Sequence, residues 1–267
     1  MALPTFSTRF IVGPIVTGGL ITGCSLLVDT GGLAGGTTST DASSPPDGRV
    51  ADAATGDGSG SGSFCANQSP PHAFCADFDD QPLAFGWTRV ASDPAIAVEL
   101  DSLATSAPRA VRTRALTAKT CSYANLSTEL PGPYRSGRLA FDVRAGAAMN
   151  PTFPGAYVGY VEIGKCLHLV QILADKTEVY TQIDFPAGQD RQSAVVTIPP
   201  GTWRRVALDF DRADGSVQLS IDGAVVIPKT VVDARCVGAG SVKASVGLFC
   251  HDGVAEARFD NVTFDGQ

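Results

Sequence analysis

Tyr160, Glu162, His168, Tyr180, Gln182 and Asp184 are of the types that recognise sugars. Aromatic rings stack on the apolar faces of pyranoses, while carboxylates, amides and imidazoles bond hydroxyl groups. A site needs such groups to converge on one surface. The six come from three stretches, "AYVGYVEIG", "KCLHLVQIL" and "TEVYTQIDF". Glu178, Tyr180, Gln182 and Asp184 fall on alternate positions of the third, as Tyr160 and Glu162 do in the first. If the three stretches are strands aligned on one concave sheet, their polar faces make a groove. The same set holds a His and two Tyr, types that can abstract and return a proton. Binding, catalysis and an inert solvated face are the three readings of this set.

A second group is acidic. Asp77, Asp79 and Asp80 lie in "FCADFDD", and Asp260 lies in "ARFDNVTFD" near the other end of the chain. If those segments pair, Asp77, Asp79 and Asp260, with backbone carbonyls, offer the hard oxygen ligands that calcium prefers. The alternative is a set of turn and edge aspartates in solvent. Among the other motifs of chemistry, no G-x-S-x-G, P-loop or dinucleotide fingerprint is present. No cysteine pair has C-x-x-C spacing, which argues against zinc.

The elements that must carry these groups read as strands. Leu139, Phe141 and Val143 alternate with Arg138, Asp142 and Arg144; Val206, Leu208 and Phe210 alternate with Arg205 and Asp209. Val217, Leu219 and Ile221 repeat the period of two that marks a half-buried strand. Asp214-Gly215, Asp222-Gly223 and Asp252-Gly253 suit hairpin turns. No stretch shows a capped amphipathic helix. About a dozen strands predict an all-β, two-sheet antiparallel sandwich.

Residues 203–226, "WRRVALDFDRADGSVQLSIDGAVV", resemble the W-x-x-V…D-G hairpin of laminin-G-like domains in the concanavalin A-like lectin/glucanase superfamily. "FCADFDD" with Trp87, and "ARFDNVTFD", resemble the first and last strands of bacterial jelly rolls. The resemblance implies a jelly roll whose end strands pair, in some relatives around a structural calcium. It fixes no activity, because this architecture hosts lectins, glycosidases, lyases and adhesion modules. "VELDSLA" at residues 98–104 is similar to the start of the laminarinase E-x-D-x-x-E motif, but Ala104 stands where the second catalytic acid belongs. The lyase motifs R-S/T-E-L-R and Q-I-H are absent; a lyase would also need a uronate clamp, for which Arg138 or Arg144 would have to serve.

The opening of the chain reads as an address. Arg9 precedes a 12-residue apolar run, "FIVGPIVTGGLI", too short to span a bilayer. Ile21-Thr22-Gly23-Cys24 then resembles the lipobox of bacterial lipoproteins, which implies cleavage before Cys24 and acylation of it. Residues 1–23 are expected to be a lipoprotein signal and residues 24–63, rich in Gly, Ser, Thr and Asp, a flexible linker. Residues 64–267 are then one jelly-roll domain. The chain carries −7 in all. Without Arg9 and the linker's five Asp and one Arg, the domain carries −4 and has no basic cluster, which excludes nucleic acid as a partner. Cys65, Cys75, Cys121, Cys166, Cys236 and Cys250 read as three disulfides of an exported protein. The short loops favour Cys65–Cys75 and Cys236–Cys250, leaving Cys121–Cys166. The leading expectation is a lipid-anchored envelope protein whose domain binds polysaccharide or mediates adhesion without catalysis. The alternatives are a polysaccharide lyase or glycosidase and a structural envelope protein.

Overall fold

The structure is a computed structural model that describes residues 63–92, 96–115, 122–146, 155–173, 176–183, 188–251 and 255–267. The proposed signal and most of the linker lie outside these residues, as do Asp184, Cys121 and the Asp252-Gly253 turn. The chain divides into two units, Met1–Asp57 and Gly58–Gln267; everything described belongs to the second.

Among the described residues, fifteen strands make two antiparallel sheets. In chain order they are β1 (Phe74–Ala76), β2 (Arg89–Ser92), β3 (Ile96–Asp101), β4 (Ala110–Ala115), β5 (Ser122–Tyr134), β6 (Ser136–Ala145), β7 (Gly155–Ile163) and β8 (Cys166–Leu173). Then follow β9 (Thr177–Ile183), β10 (Gly188–Ala194), β11 (Trp203–Asp211), β12 (Ser216–Ile221), β13 (Ala224–Val231), β14 (Gly240–His251) and β15 (Ala255–Gly266). One sheet runs β13-β12-β11-β6-β15-β4-β3, with β1 also on β15; the other runs β10-β9-β8-β7-β14-β5-β2. Helical structure among the described residues is limited to two 3-10 turns, Cys65–Asn67 and Ala234–Cys236.

The period-two alternation does what it predicts. Leu139, Phe141, Val143, Val206, Leu208 and Phe210 from one sheet meet Leu126, Val161, Val170, Val179 and Val246 from the other in a continuous apolar core. The expected hairpins form as well: β11 pairs β12 and β12 pairs β13. Asp222 and Gly223 between β12 and β13 both take positive φ, 51° and 80°. A two-residue turn whose twist matches the strands requires this. The first and last strands pair too, with Phe74 opposite Phe264 and Ala76 opposite Val262.

The disulfides correct one expectation. Cys65 bonds Cys75, but Cys166 bonds Cys236 rather than Cys121, and so Cys236 is not the partner of Cys250. Closeness in sequence favoured Cys236–Cys250. The sandwich instead brings the turn before β14 beside the start of β8, where Cys166 and Cys236 are packed with Ile183.

Candidate functional site

The register of the seven-stranded sheet assembles the site. Directly opposed residues of antiparallel strands lie on the same face. Tyr160 of β7 faces Leu169 of β8, which faces Tyr180 of β9, which faces Arg191 of β10. In the other direction Tyr160 faces Ser245 of β14, then Ser127 of β5, then Arg89 of β2. This row crosses the whole sheet. On one side of it runs Glu129–Lys243–Glu162–Leu167–Gln182. On the other runs Phe249–Tyr157–Gln171–Glu178–Ser193. All three rows lie on the outer face, since Val158, Val161, Val170 and Val179 fill the core.

Tyr157 joins Tyr160 there because β7 is bulged. Tyr157 pairs Gln171 while Gly159 pairs Val170, so one residue is extra. A bulge breaks the alternation of faces, and residues three apart come to share one. Gly159 permits it: a Cβ added there would lie 2.7 Å from the Phe141 ring.

The three rows enclose a cleft of about 530 Å³, lined by Arg89, Tyr123, Asn125, Ser127, Tyr157, Tyr160, Glu162, Leu167, Leu169, Tyr180, Gln182, Lys243 and Phe249. Its aromatic rings support one another. Tyr160 meets Phe249 edge-on at 4.7 Å and Tyr157 meets Tyr180 at 5.9 Å between centroids. Tyr180 is almost covered, whereas Tyr123 at the rim is 51% exposed. Asn125 Nδ2 donates to Ser245 Oγ at 3.0 Å. Burial pulls the Lys243 ammonium down, but Tyr160 and Glu162 beside it prevail and its pKa is raised. Burial likewise pushes Glu178 up, yet Lys176, Ser193 and Arg191 hold it below the usual carboxylate range. Burial raises the hydroxyl pKa of Tyr157.

Tyr160, Glu162, Tyr180 and Gln182 thus meet in one cleft, as their spacing predicts. His168 does not join them. It lies on the core side of β8, only 2% exposed, with Nδ1 3.0 Å from Thr181 Oγ1. Burial, aided by the charge of Arg212, lowers its pKa to about 4. A proton-transfer role in the cleft is closed to it. Arg138 and Arg144 are on β6 in the other sheet, where Arg138 pairs with Asp209 at 3.4 Å and Arg144 Nε donates to the Gly201 carbonyl. Glu99 and Asp101 are held in an ion-pair network with Arg112, Arg114 and Arg258 on that same sheet, in keeping with a plain strand there. The residues missed were Arg89, Tyr123, Asn125, Ser127, Tyr157, Leu167, Leu169, Lys243 and Phe249. All but Tyr157, Leu167 and Leu169 come from strands distant in sequence.

A larger groove of about 790 Å³ crosses the other sheet. Its charges are mutually engaged, Lys229 with Asp211 at 2.7 Å and Asp214 at 3.1 Å, and its Phe210 ring is buried in the core. It presents no aromatic platform, so chemistry rather than size selects the smaller cleft.

The acidic bracket is only partly assembled. Asp77 accepts from the Cys65 amide at 2.8 Å and so anchors the first turn. Asp260 Oδ2 accepts from the Thr105 and Ser106 amides, and Asp79 Oδ1 from the Arg109 amide, so one loop ties the two together. No group of three His, Cys, Asp or Glu side chains disposed to hold a metal occurs among the described residues. Asp79 Oδ2 is buried without a hydrogen-bond partner. Burial raises the carboxyl of Asp79 and pushes that of Asp260 up to about 7.

No protein-family model matches the sequence, and no curated protein does. Solved structures match in shape. One described as "cellulose induced protein, Cip1" superposes with a TM-score of 0.57 at 12% identity, over 73% of this chain and 97% of that one. An alginate lyase of polysaccharide lyase family 7 gives 0.49 at 10%, over 66% and 85%. The fold is an all-β, two-sheet antiparallel sandwich of the jelly-roll kind. At these identities the likeness speaks for the fold, not for an activity.

Proposed function

We propose that the protein binds carbohydrate through the cleft on the seven-stranded sheet, without catalysis, as an exported lipoprotein held to the cell envelope by acylated Cys24. The observation that carries the reading is the transverse row of Tyr160, Leu169 and Tyr180, which sets aromatic rings beside Gln182, Glu162, Asn125 and Ser127 in one cleft. Rings supply stacking area and the amides, hydroxyls and carboxylate supply directional bonds, the combination a sugar site requires. Burial of His168 in the core counts against the lyase alternative. The Cys65–Cys75 and Cys166–Cys236 bonds support export. Asp79 and Asp260 are proposed to hold a structural calcium remote from the cleft.

A glycan array probed with the purified chain tests the binding reading. Binding to at least one polysaccharide is expected, lost in Tyr160→Ala and weakened in Gln182→Ala with the melting temperature retained. Absence of binding across the array would sink it. An unsaturated or reducing-end product from any polysaccharide would replace it with the enzymatic reading.

A further inference from the structure

Arg89 stands at one end of the transverse row, on the short edge strand β2, opposite Ser127. It is exposed and lines the cleft, and its side chain has no ion-pair or hydrogen-bond partner among the described residues. The other cations of this face are engaged. Lys243 lies 3.6 Å from Glu162 and 5.8 Å from the Tyr160 ring centroid. Arg191 lies 3.6 Å from Glu178 and over the Tyr180 ring, and Lys176 lies 2.6 Å from Glu178. Glu129, opposite Lys243, is the exposed carboxylate of this end of the face. Counting it, the three rows hold three cations, Arg89, Arg191 and Lys243, against three carboxylates, Glu129, Glu162 and Glu178, in a chain whose net charge is −7. A solvated arginine on an open surface is ordinary. One at the mouth of an aromatic cleft, flanked by neutral Asn125 and Ser127, is a donor fork left for something that enters.

We propose that the cleft takes an acidic glycan, one whose sugars carry a carboxylate or a sulfate, and that Arg89 recognises that group. The inference rests on the carbohydrate-binding reading above and narrows it. A guanidinium meets a carboxylate or sulfate with two parallel N–H donors, which gives both strength and orientation. Lys243, in the adjoining row, is held between Glu162 and Glu129, so Arg89 is the cation left for the ligand. Tyr123, Phe249 and Tyr157 lie on the other side of the row, where they offer stacking area to the sugar rings. The cleft therefore has an available guanidinium at its β2 end and an aromatic flank, and a sugar bearing one anionic substituent would be held in a single sense.

The test uses the full chain and two matched pairs of polymers: polygalacturonate with its carboxyl-reduced form, and dextran sulfate with dextran. Titration calorimetry is expected to show at least one charged member bound about tenfold or more tighter than its neutral partner. That affinity should fall as salt rises from about 0.05 to about 0.3 M. Arg89→Ala is expected to erase the preference while keeping the melting temperature, and Arg89→Lys to restore part of it. Which pair shows the preference identifies the anionic group. Equal binding of charged and neutral members, or an unchanged preference in Arg89→Ala, overturns the inference and leaves the carbohydrate-binding reading standing. Binding of neutral glycans on the array with none of these charged polymers bound also overturns it. Binding of no glycan at all overturns both.

Discussion

Arg191 lies over the face of Tyr180, its guanidinium carbon 5.1 Å from the ring centroid. Tyr157 closes on the same ring from β7, and Tyr180 is left 7% exposed. Tyr180 is therefore support for the cleft more than a surface for the ligand. Tyr180→Ala is expected to cost about 2–4 kcal/mol through the cavity it leaves, a fall of several degrees in calorimetric melting temperature. A melting temperature equal to wild type would mean that the ring is not packed as described. Arg191→Ala should cost under about 1 kcal/mol, since its cation–π contact is half in solvent.

Tyr123 shows the opposite behaviour. Half its surface is open at the cleft rim, so little packing is lost on truncation. Tyr123→Ala is expected to weaken glycan binding about tenfold, the loss of one exposed aromatic anchor, at unchanged melting temperature. Wild-type affinity in that variant would place the ligand elsewhere along the face.

Gly159 should tolerate no side chain. Gly159→Ala puts a methyl against the Phe141 ring, and overpacking of this kind costs about 1–3 kcal/mol. If the strain is relieved by removing the bulge, Tyr157 turns away from the cleft, so binding should drop along with stability. A stable variant with full binding would show that β7 accommodates the methyl without changing register.

The buried carboxylates predict a pH dependence. Asp260 is pushed up to about 7 by burial, against hydrogen bonds from Ser106, Asn261 and Thr105. Unfolded, it titrates near 4. A folded pKa above the unfolded one means that its contribution is full below about pH 4 and is lost as pH rises through about 7. Burial likewise raises Asp79 and Asp142 and gives the same sign, whereas Asp101 and Glu256, both lowered, act in the opposite sense on acidification. His168, lowered to about 4 by burial, opposes this between about pH 4.5 and 6.5, so Asp260 is read by difference: without calcium, the wild-type urea midpoint should lose more from pH 4.5 to pH 7.5 than that of Asp260→Asn, a variant less stable overall. Added calcium should raise the midpoint at pH 7.5, because a cation favours the ionised carboxylates. Parallel profiles for wild type and Asp260→Asn would argue against the buried acid, and indifference to calcium would remove the proposed ion.

Cys166–Cys236 closes a loop 70 residues apart in sequence, worth about 4 kcal/mol by loop entropy, against nearly 3 for the ten-residue separation of Cys65–Cys75. Cys166→Ser with Cys236→Ser should be the more damaging pair replacement. Non-reducing peptide maps should join the Cys166 and Cys236 peptides; a Cys236–Cys250 peptide would contradict this connectivity.

How much of this was readable depends on the strand. In β9 the polar and apolar residues separate cleanly, so Tyr180 and Gln182 could be placed on one face. In β8, "CLHLVQIL" is apolar on both faces, and nothing in the run says that Leu167 and Leu169, not His168, point outward. In β7 strict alternation sets Tyr157 against Tyr160, and only the bulge reconciles them. Arg89, Asn125 and Lys243 were beyond reach for another reason. Their neighbours in the cleft are tens of residues away, and strand order, which brings β2, β5 and β14 beside β7, is a property of the whole chain.

Residues 63–80 enter the fold across the eight-stranded sheet. Phe64 sits under the Arg205 guanidinium at 5.7 Å, and β1 closes on β15. The cleft opens on the other sheet, a sandwich thickness of about 10 Å away and facing the opposite direction. The domain is thus two-sided, with its entry strand behind and its cleft in front. Attachment through the N-terminal side, whether to a lipid or to a biosensor chip, leaves the front free to meet a polymer too large to pass around the domain.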